Sequence, residues 1–359
     1  MTKPINFDVI THKGANEEIT NLLSNTVLGT PDKLRYRQLE TQQNLQRLQN
    51  LEFIQIKKGK RAIGTAGFIR RNLSYQSGFI TGLYVRYLSV MNVLGARKKQ
   101  AQPSANNKPK RSSLRTEIFG LFNHHLDEQL SSDGCYYAYV EKDNILSKSL
   151  CESFGFRTTR QIKTLLFSRF NPKVKKNAHR IDEQNLFEFK AQLQSFYSEH
   201  DLFFEDDLEL KGQSFAVHHN NAMVAGVRAF PVEWEIVELA GFKGFLLTKV
   251  LPKIPYLKRL FNAEKLKFIA FDNIWYQAGF EQELPTLFSH ICKHYNHHMG
   301  MIWLDGEDGT TSYLQSKGAL GFLNRINGAV TAYLMIRGKG SAQQASFDKP
   351  VFVSAIDMT

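Results

Sequence analysis

The stretch from Cys135 to Phe156, CYYAYVEKDNILSKSLCESFGF, constrains the fold of this chain more than any other. Tyr136, Tyr137, Tyr139 and Val140 are aromatic or β-branched and no breaker interrupts them, so the stretch opens as a strand. It turns at Lys142-Asp143-Asn144. Ile145, Leu146, Ser149, Leu150 and Phe154 then recur at helical spacing on one face. Gly155 stops that helix, because glycine takes the left-handed C-cap conformation without a Cβ clash. Phe156 leads into a second apolar run at 163–167, which reads as a return strand.

A chain of 359 residues exceeds the usual size of one compact core, so two domains are expected. No apolar run approaches the ~20 residues that a membrane span needs. The opening segment MTKPINFDVI has no apolar signal region. Cys135, Cys151 and Cys292 show no metal spacing, and their odd number argues against a disulfide framework. These features lead us to expect a cytoplasmic protein with no membrane partner.

The formal charge of +12 is unevenly placed. Residues 1–170 hold 26 Lys and Arg against 13 Asp and Glu, whereas residues 171–359 hold 20 against 21. The first half therefore has an anionic partner or carries a solvated basic loop, and the second half requires neither.

Taken in order, 6–10 reads as a first strand, and Asn16 caps a helix through Ile19, Leu22 and Leu23. Residues 32–51 are polar and helix-permissive. Strands follow at 52–57, 63–70 and 78–90. Residues 92–111 are basic, contain Pro103 and Pro109 and carry no acid, which reads as a loop. A helix over 112–130 has Leu114, Ile118, Leu121, Phe122 and Leu126 on its apolar side. Residues 171–180 read as a linker. Beyond it come a helix from 182, a hairpin at 213–230, a strand at 266–272, a helix at 280–295, a strand at 300–304 and a last hairpin through Asn327-Gly328.

This order, and the residues Asn144, Ser147, Leu150, Gly155 and Phe156, resemble a GNAT-fold acyl-CoA N-acyltransferase. The family pattern is a strand, N-x-x-S/A, a helix carrying (L/F)-Y, then G-F. Cys151 stands where the family has its tyrosine. The resemblance implies an α+β architecture of two GNAT-like domains, each a mixed, mostly antiparallel central sheet with helices on both faces. The N-terminal domain spans 1–170, the linker 171–180 and a degenerate C-terminal copy 181–340, with a tail at 341–359. In the copy, Gly318-Ala319 aligned on Gly155-Phe156 puts Glu307 on Asn144, Thr310 on Ser147 and Leu314 on Cys151.

The same resemblance implies acyl-CoA, acetyl-CoA or another, as co-substrate. Leu88, Ser89 and Val90 match the strand end that bulges and pairs with pantetheine amides. Arg111, Ser112, Ser113, Leu114 and Arg115 occupy the helix entry that binds the diphosphate, where bare amides and the positive end of the helix dipole favour an anion. Only the arginine of that motif is kept; Leu114 and Thr116 replace its two glycines. Asn144 and Ser147 are assigned to the same cofactor site.

Direct acyl transfer needs a base for the amine and a proton donor for the departing thiolate. Glu141 at the strand end and Cys151 are the candidates, each with a plain alternative: an exposed strand-end carboxylate and a small core residue. The spacing of His290, His294 and His298 places them on one helix face, but no carboxylate or cysteine stands in register, so no metal is expected. The acceptor amine is unidentified. RNA is a lesser alternative partner suited to the basic half, a homodimer is admitted, and a non-catalytic GNAT-derived binding protein is the alternative to an enzyme.

Overall fold

The computed structural model describes residues 7–31, 33–48, 50–90, 120, 123–124, 127–130, 133–239, 262, 264–316, 318–321, 324, 329–344 and 347–359. The first half begins with β1 (Phe7–Lys13) and α1 (Glu17–Ser24), whose cap Asn16 accepts the Ile19 N–H at 2.8 Å. A short hairpin, β2 (Leu28–Gly29) and β3 (Leu34–Gln38), precedes α2 (Thr41–Arg47). Next come β4 (Leu51–Lys58), β5 (Arg61–Tyr75), β6 (Gly78–Val90), β7 (Gly134–Glu141), α3 (Ile145–Ser153) and β8 (Arg157–Ser168).

The second half repeats the strand order of β1 and β4–β8, without a counterpart of β2, β3 and α2. It contains β9 (Ala178–Arg180), α4 (Leu186–Tyr197), β10 (Gln213–His219), β11 (Ala222–Leu239) and β12 (Leu266–Tyr276). Then follow α5 (Glu283–His294), β13 (Met299–Asp305), α6 (Gly309–Ser316), β14 (Val330–Lys339), a 3-10 turn at Gly340–Gln344 and α7 (Ala355–Met358).

All 14 strands join one sheet, ordered β1-β4-β5-β6-β7-β14-β8-β13-β12-β11-β10-β9, with β3 paired to the far end of β11 and β2 to β3. The order is palindromic about the β14–β8 pair. On either side of that pair stand five strands in matching order, ending in a parallel pair, β6 with β7 and β12 with β13. The halves then exchange their last strands: β14 lies against β7, and β8 lies against β13. The central antiparallel ladder runs from Val330 opposite Thr164 to Ile336 opposite Arg157. The described strands of both halves therefore share one hydrogen-bonded sheet, and the largest apolar cluster takes residues from both halves, from Ile19 to Ile356.

Four local expectations change. Residues 34–38 form β3 rather than helix, because Tyr36 stacks on Trp234 with ring centroids 3.9 Å apart and β11 offers an open edge; tertiary pairing overrides the helix-permissive composition. Residues 178–180, expected within the linker, pair with β10. Residues 351–356, expected in the tail, are buried, and Val351, Phe352 and Ile356 join the core. In α3, Ile145 and Leu146 are 72% and 82% exposed; the sheet-facing residue is Cys151. Residues 91–119 lie outside the described residues, so the basic loop and the entry of the 112–130 helix do too.

Candidate functional site

The parallel ladder between β6 and β7 runs only from Thr81–Gly134 to Tyr84–Tyr137. Beyond it the pairing ends because β6 bulges. Thr65 pairs with Ser89 and Gly67 with Arg86, so Tyr87 and Leu88 together face Ala66. Tyr87 sits in the left-handed region at φ 56°, which costs a non-glycine residue roughly 1–2 kcal/mol. Its neighbours hold it there: Phe53 lies 6.0 Å away, and the Arg86 guanidinium lies 4.5 Å from the Tyr87 ring centroid. Gly67 permits the close approach, since a Cβ there would lie 2.9 Å from the Phe53 ring and 3.1 Å from that of Tyr87. The bulge falls one residue ahead of the Leu88-Ser89-Val90 segment that the sequence singled out.

The two strands diverge from this vertex, and the residues beside it are polar. Tyr137, Tyr139 and Glu141 alternate onto one face of β7. Tyr84 and Arg86 share that face on β6. Glu141, half-buried, accepts the Thr30 hydroxyl at 2.5 Å, and Lys33 pairs with Asp143, so the β2–β3 hairpin straps the end of β7. Burial, and then the Glu141 charge, raise the Tyr36 pKa.

Behind the vertex lies a buried ion network. Arg71 donates to both Asp357 oxygens at 2.6 and 2.7 Å, to Asp207 at 2.8 Å and to the Tyr137 hydroxyl at 2.7 Å. Burial works against the Arg71 charge, but Asp357, Tyr137 and Asp207 outweigh it and hold the guanidinium pKa above its usual value. Arg228 pairs with Asp272 at 2.6 Å, and Ser354 bridges Asp207 and Asp272. Arg86 donates to the Ile356 carbonyl and to a main-chain oxygen of Thr359. These bonds fix α7 over Tyr84, whose hydroxyl donates to the Asp357 carbonyl at 2.8 Å.

The other candidates fall as follows. Asn144 caps α3, its side chain accepting the Ser147 N–H at 3.1 Å, so these two stand together one turn from Glu141. Cys151 lies on the opposite face of the sheet from Glu141, packed among Ile54, Tyr136, Val140 and Phe156, and burial pushes its thiol up to about 11. Leu88 is 38% exposed at the bulge, and Ser89 and Val90 continue the pairing with β5. Arg111, Ser112, Ser113, Leu114 and Arg115 lie outside the described residues. His290 accepts the Lys175 N–H at 3.1 Å and His294 packs edge-on to Phe215; among the described residues no three His, Cys, Asp or Glu converge as a metal group.

The second half repeats the geometry with different contents. Gly226 pairs with Trp275 and Arg228 with Asp272, so Asn273 and Ile274 face Val227, and Asn273 has φ 48°. Asn tolerates that conformation, so a bulge-forming residue was visible there. The space past this bulge is filled by the chain itself. Tyr197 donates to the Ile274 carbonyl at 2.7 Å, and the Tyr276 hydroxyl lies 3.3 Å from Thr310. Asp305, the counterpart of Glu141, accepts the Val351 N–H at 2.9 Å. Asp308 caps α6 through the Thr310 N–H at 2.6 Å and pairs with His200 at 3.0 Å. Asp308 rather than Glu307 therefore occupies the Asn144 position; Glu307 lies in the turn and meets Arg160.

No protein-family model and no curated protein matches the sequence. Solved structures do match. A Saccharomyces cerevisiae N-myristoyltransferase with bound myristoyl-CoA superimposes with a TM-score of 0.60 at 8% identity, covering 98% of this chain and 86% of that one. A second structure of the yeast enzyme, with myristoyl-CoA and inhibitors, gives 0.59 at 10% identity over 98% and 88%. The chain has a tandem GNAT-like fold. The paired bulges and splays are the internal signature of that duplication. Among the described residues of the tandem GNAT-like fold, no helix is long and apolar enough to cross a membrane.

Proposed function

We propose that this chain is an acyl-CoA-dependent N-acyltransferase with one acyl-CoA site, at the splay between β6 and β7. The observation that carries the reading is the bulge at Tyr87 and Leu88 beside a diverging parallel strand that ends in a half-buried carboxylate, Glu141. The edge of Leu88, Ser89 and Val90 that faces away from β5 would pair with the pantetheine amides, and Arg111, Ser112, Ser113, Leu114 and Arg115 would meet the diphosphate. Asn144 and Ser147 would border the cofactor arm. Glu141 takes the proton of the attacking amine. The amine nitrogen bonds to the thioester carbon, the carbon–sulfur bond breaks, and the CoA thiolate leaves and takes a proton from water. Cys151, across the sheet in an apolar cluster, acts in this reading as a packing residue.

The strand likeness to structures of an enzyme holding myristoyl-CoA supports this choice of co-substrate. The test is thiol release from acyl-CoA with a panel of amines. Glu141→Gln should lower turnover about 100-fold or more, in keeping with the loss of a positioned base, and Cys151→Ala should leave turnover within about twofold of native, because a residue that only packs contributes nothing to the transition state. The reverse pattern would move the chemistry to the other face of the sheet. A second reading, a GNAT-derived binding protein without catalysis, is favoured by Leu114 and Thr116 at the glycine positions; it predicts CoA binding with no turnover on any amine. A third reading, a tandem-GNAT transferase drawing on charged tRNA, would suit the basic first half and requires RNA to compete with CoA.

A further inference from the structure

We infer that Tyr139 sets the acyl-chain length, admitting an acetyl or similarly short group and excluding a fatty acyl chain. The inference rests on the acyl-CoA site proposed above. An acyl-CoA whose pantetheine lies along Leu88, Ser89 and Val90 delivers its thioester to the vertex of the splay. Any further carbons must pass the residues packed there.

On the Glu141 face the vertex is filled by three tyrosines. Tyr84 and Tyr137 stack with centroids 5.1 Å apart, and Tyr139 closes the triangle at 5.7 Å and 6.1 Å. The lower two are locked: Tyr84 by the Asp357 carbonyl, Tyr137 by Arg71, and they are 5% and 1% exposed. On the opposite face Leu83, Ala138 and Met335 are buried and close-packed. Tyr139 differs from its two neighbours. It is only partly buried, and it stands two residues before Glu141 on the same face. It is the ring that a lengthening acyl chain meets first.

The energetics give a clear readout. Where an apolar channel receives the chain, each added methylene raises affinity roughly fourfold. Where the vertex is closed, added methylenes stay in water or strain the packing, and affinity stays flat or falls. The experiment is calorimetric titration of the full chain with CoA and with acetyl-, butyryl-, hexanoyl- and octanoyl-CoA, repeated on Tyr139→Leu and Tyr139→Ala. Native protein should bind acetyl-CoA at least as well as the longer esters. Tyr139→Leu, which keeps an apolar side chain at the position and so retains the fold if Tyr139→Ala does not, should shift the preference to hexanoyl or octanoyl. Affinity that climbs steadily with length in the native chain would overturn the inference and leave the acyl-CoA reading intact. An unchanged length profile in Tyr139→Leu would overturn the role of Tyr139. Binding of neither CoA nor any acyl-CoA would remove both.

Discussion

Arg71→Met should be the most damaging single substitution at the centre of the fold. The guanidinium makes four hydrogen bonds of 2.6 to 2.8 Å and its side chain is 1% exposed. Methionine fills much of the volume but leaves Asp357 and Asp207 without their cation. Removing one partner of a buried pair costs about 3–5 kcal/mol, chiefly as the penalty on the charge left behind. Taking about 4 kcal/mol, and an unfolding entropy of roughly 2.1 cal/mol/K per residue, the melting temperature should fall by about 5 °C. The drop would be larger if α7 detaches, since Asp357 anchors it. Urea unfolding followed by tryptophan fluorescence reads the effect, because Trp234 and Trp275 lie in the same core cluster. The double variant Arg71→Met/Asp357→Leu should recover part of the loss, as replacement of a whole buried pair is far milder than breaking it. A loss below about 1 kcal/mol in the single variant, the scale of a surface ion pair, would refute the argument that this network is desolvated.

Three further outcomes follow from particular contacts. Gly67→Ala places a Cβ 2.9 Å from Phe53 and 3.1 Å from Tyr87, so it should cost about 1–3 kcal/mol by overpacking and weaken CoA binding in a titration; a neutral effect on both would mean that the bulge does not need the close approach. Burial raises the Asp308 pKa, but its bonds to His200 and Thr310 outweigh that and hold it below the usual aspartate value. A depressed folded pKa gives stability that is present above the unfolded value and lost as pH falls through the folded one, so His200→Gln should move acid unfolding to higher pH, and an unmoved acid midpoint would contradict this. A fragment of residues 181–359 lacks β7 and β8, leaving both edges of β14 and one edge of β13 unpaired; it should aggregate or show no cooperative melt, and a cooperative transition would show that the strand exchange is dispensable.

Local chemistry was readable wherever the chain makes its own structure. The strand, Asn144 cap, helix and Gly155 stop all form as the residue pattern implies, and Gly155 takes φ 82°. So does the bulge beside Leu88-Ser89-Val90, though only through a family pattern and not from any turn residue, since Tyr87 carries no sign of a left-handed conformation. The strand exchange was not legible. β8 and β14 are ordinary strands, and nothing in their residue pattern says which edge each will meet. The burial of 351–356 was hidden for a similar reason: Val351, Phe352 and Val353 are a short apolar run, and the hydrogen-bond partners of this stretch, Asp201 and Asp305, lie far away in sequence. The contents of the second splay were partly readable. The acids at 305, 307 and 308 were visible, but only the geometry distinguishes the cap Asp308 from the turn residue Glu307.

The central claim is a single acyl-CoA site in the first splay, with the second splay filled by Tyr197, Tyr276, Asp308 and His200. The most direct measurement is a crystal structure of the full chain with CoA. It should show one CoA per chain, its pantetheine amides paired with the backbone of Leu88 to Val90 and its thiol near Glu141. A CoA lying along Ile274 to Tyr276, in place of the first or in addition to it, would contradict the account.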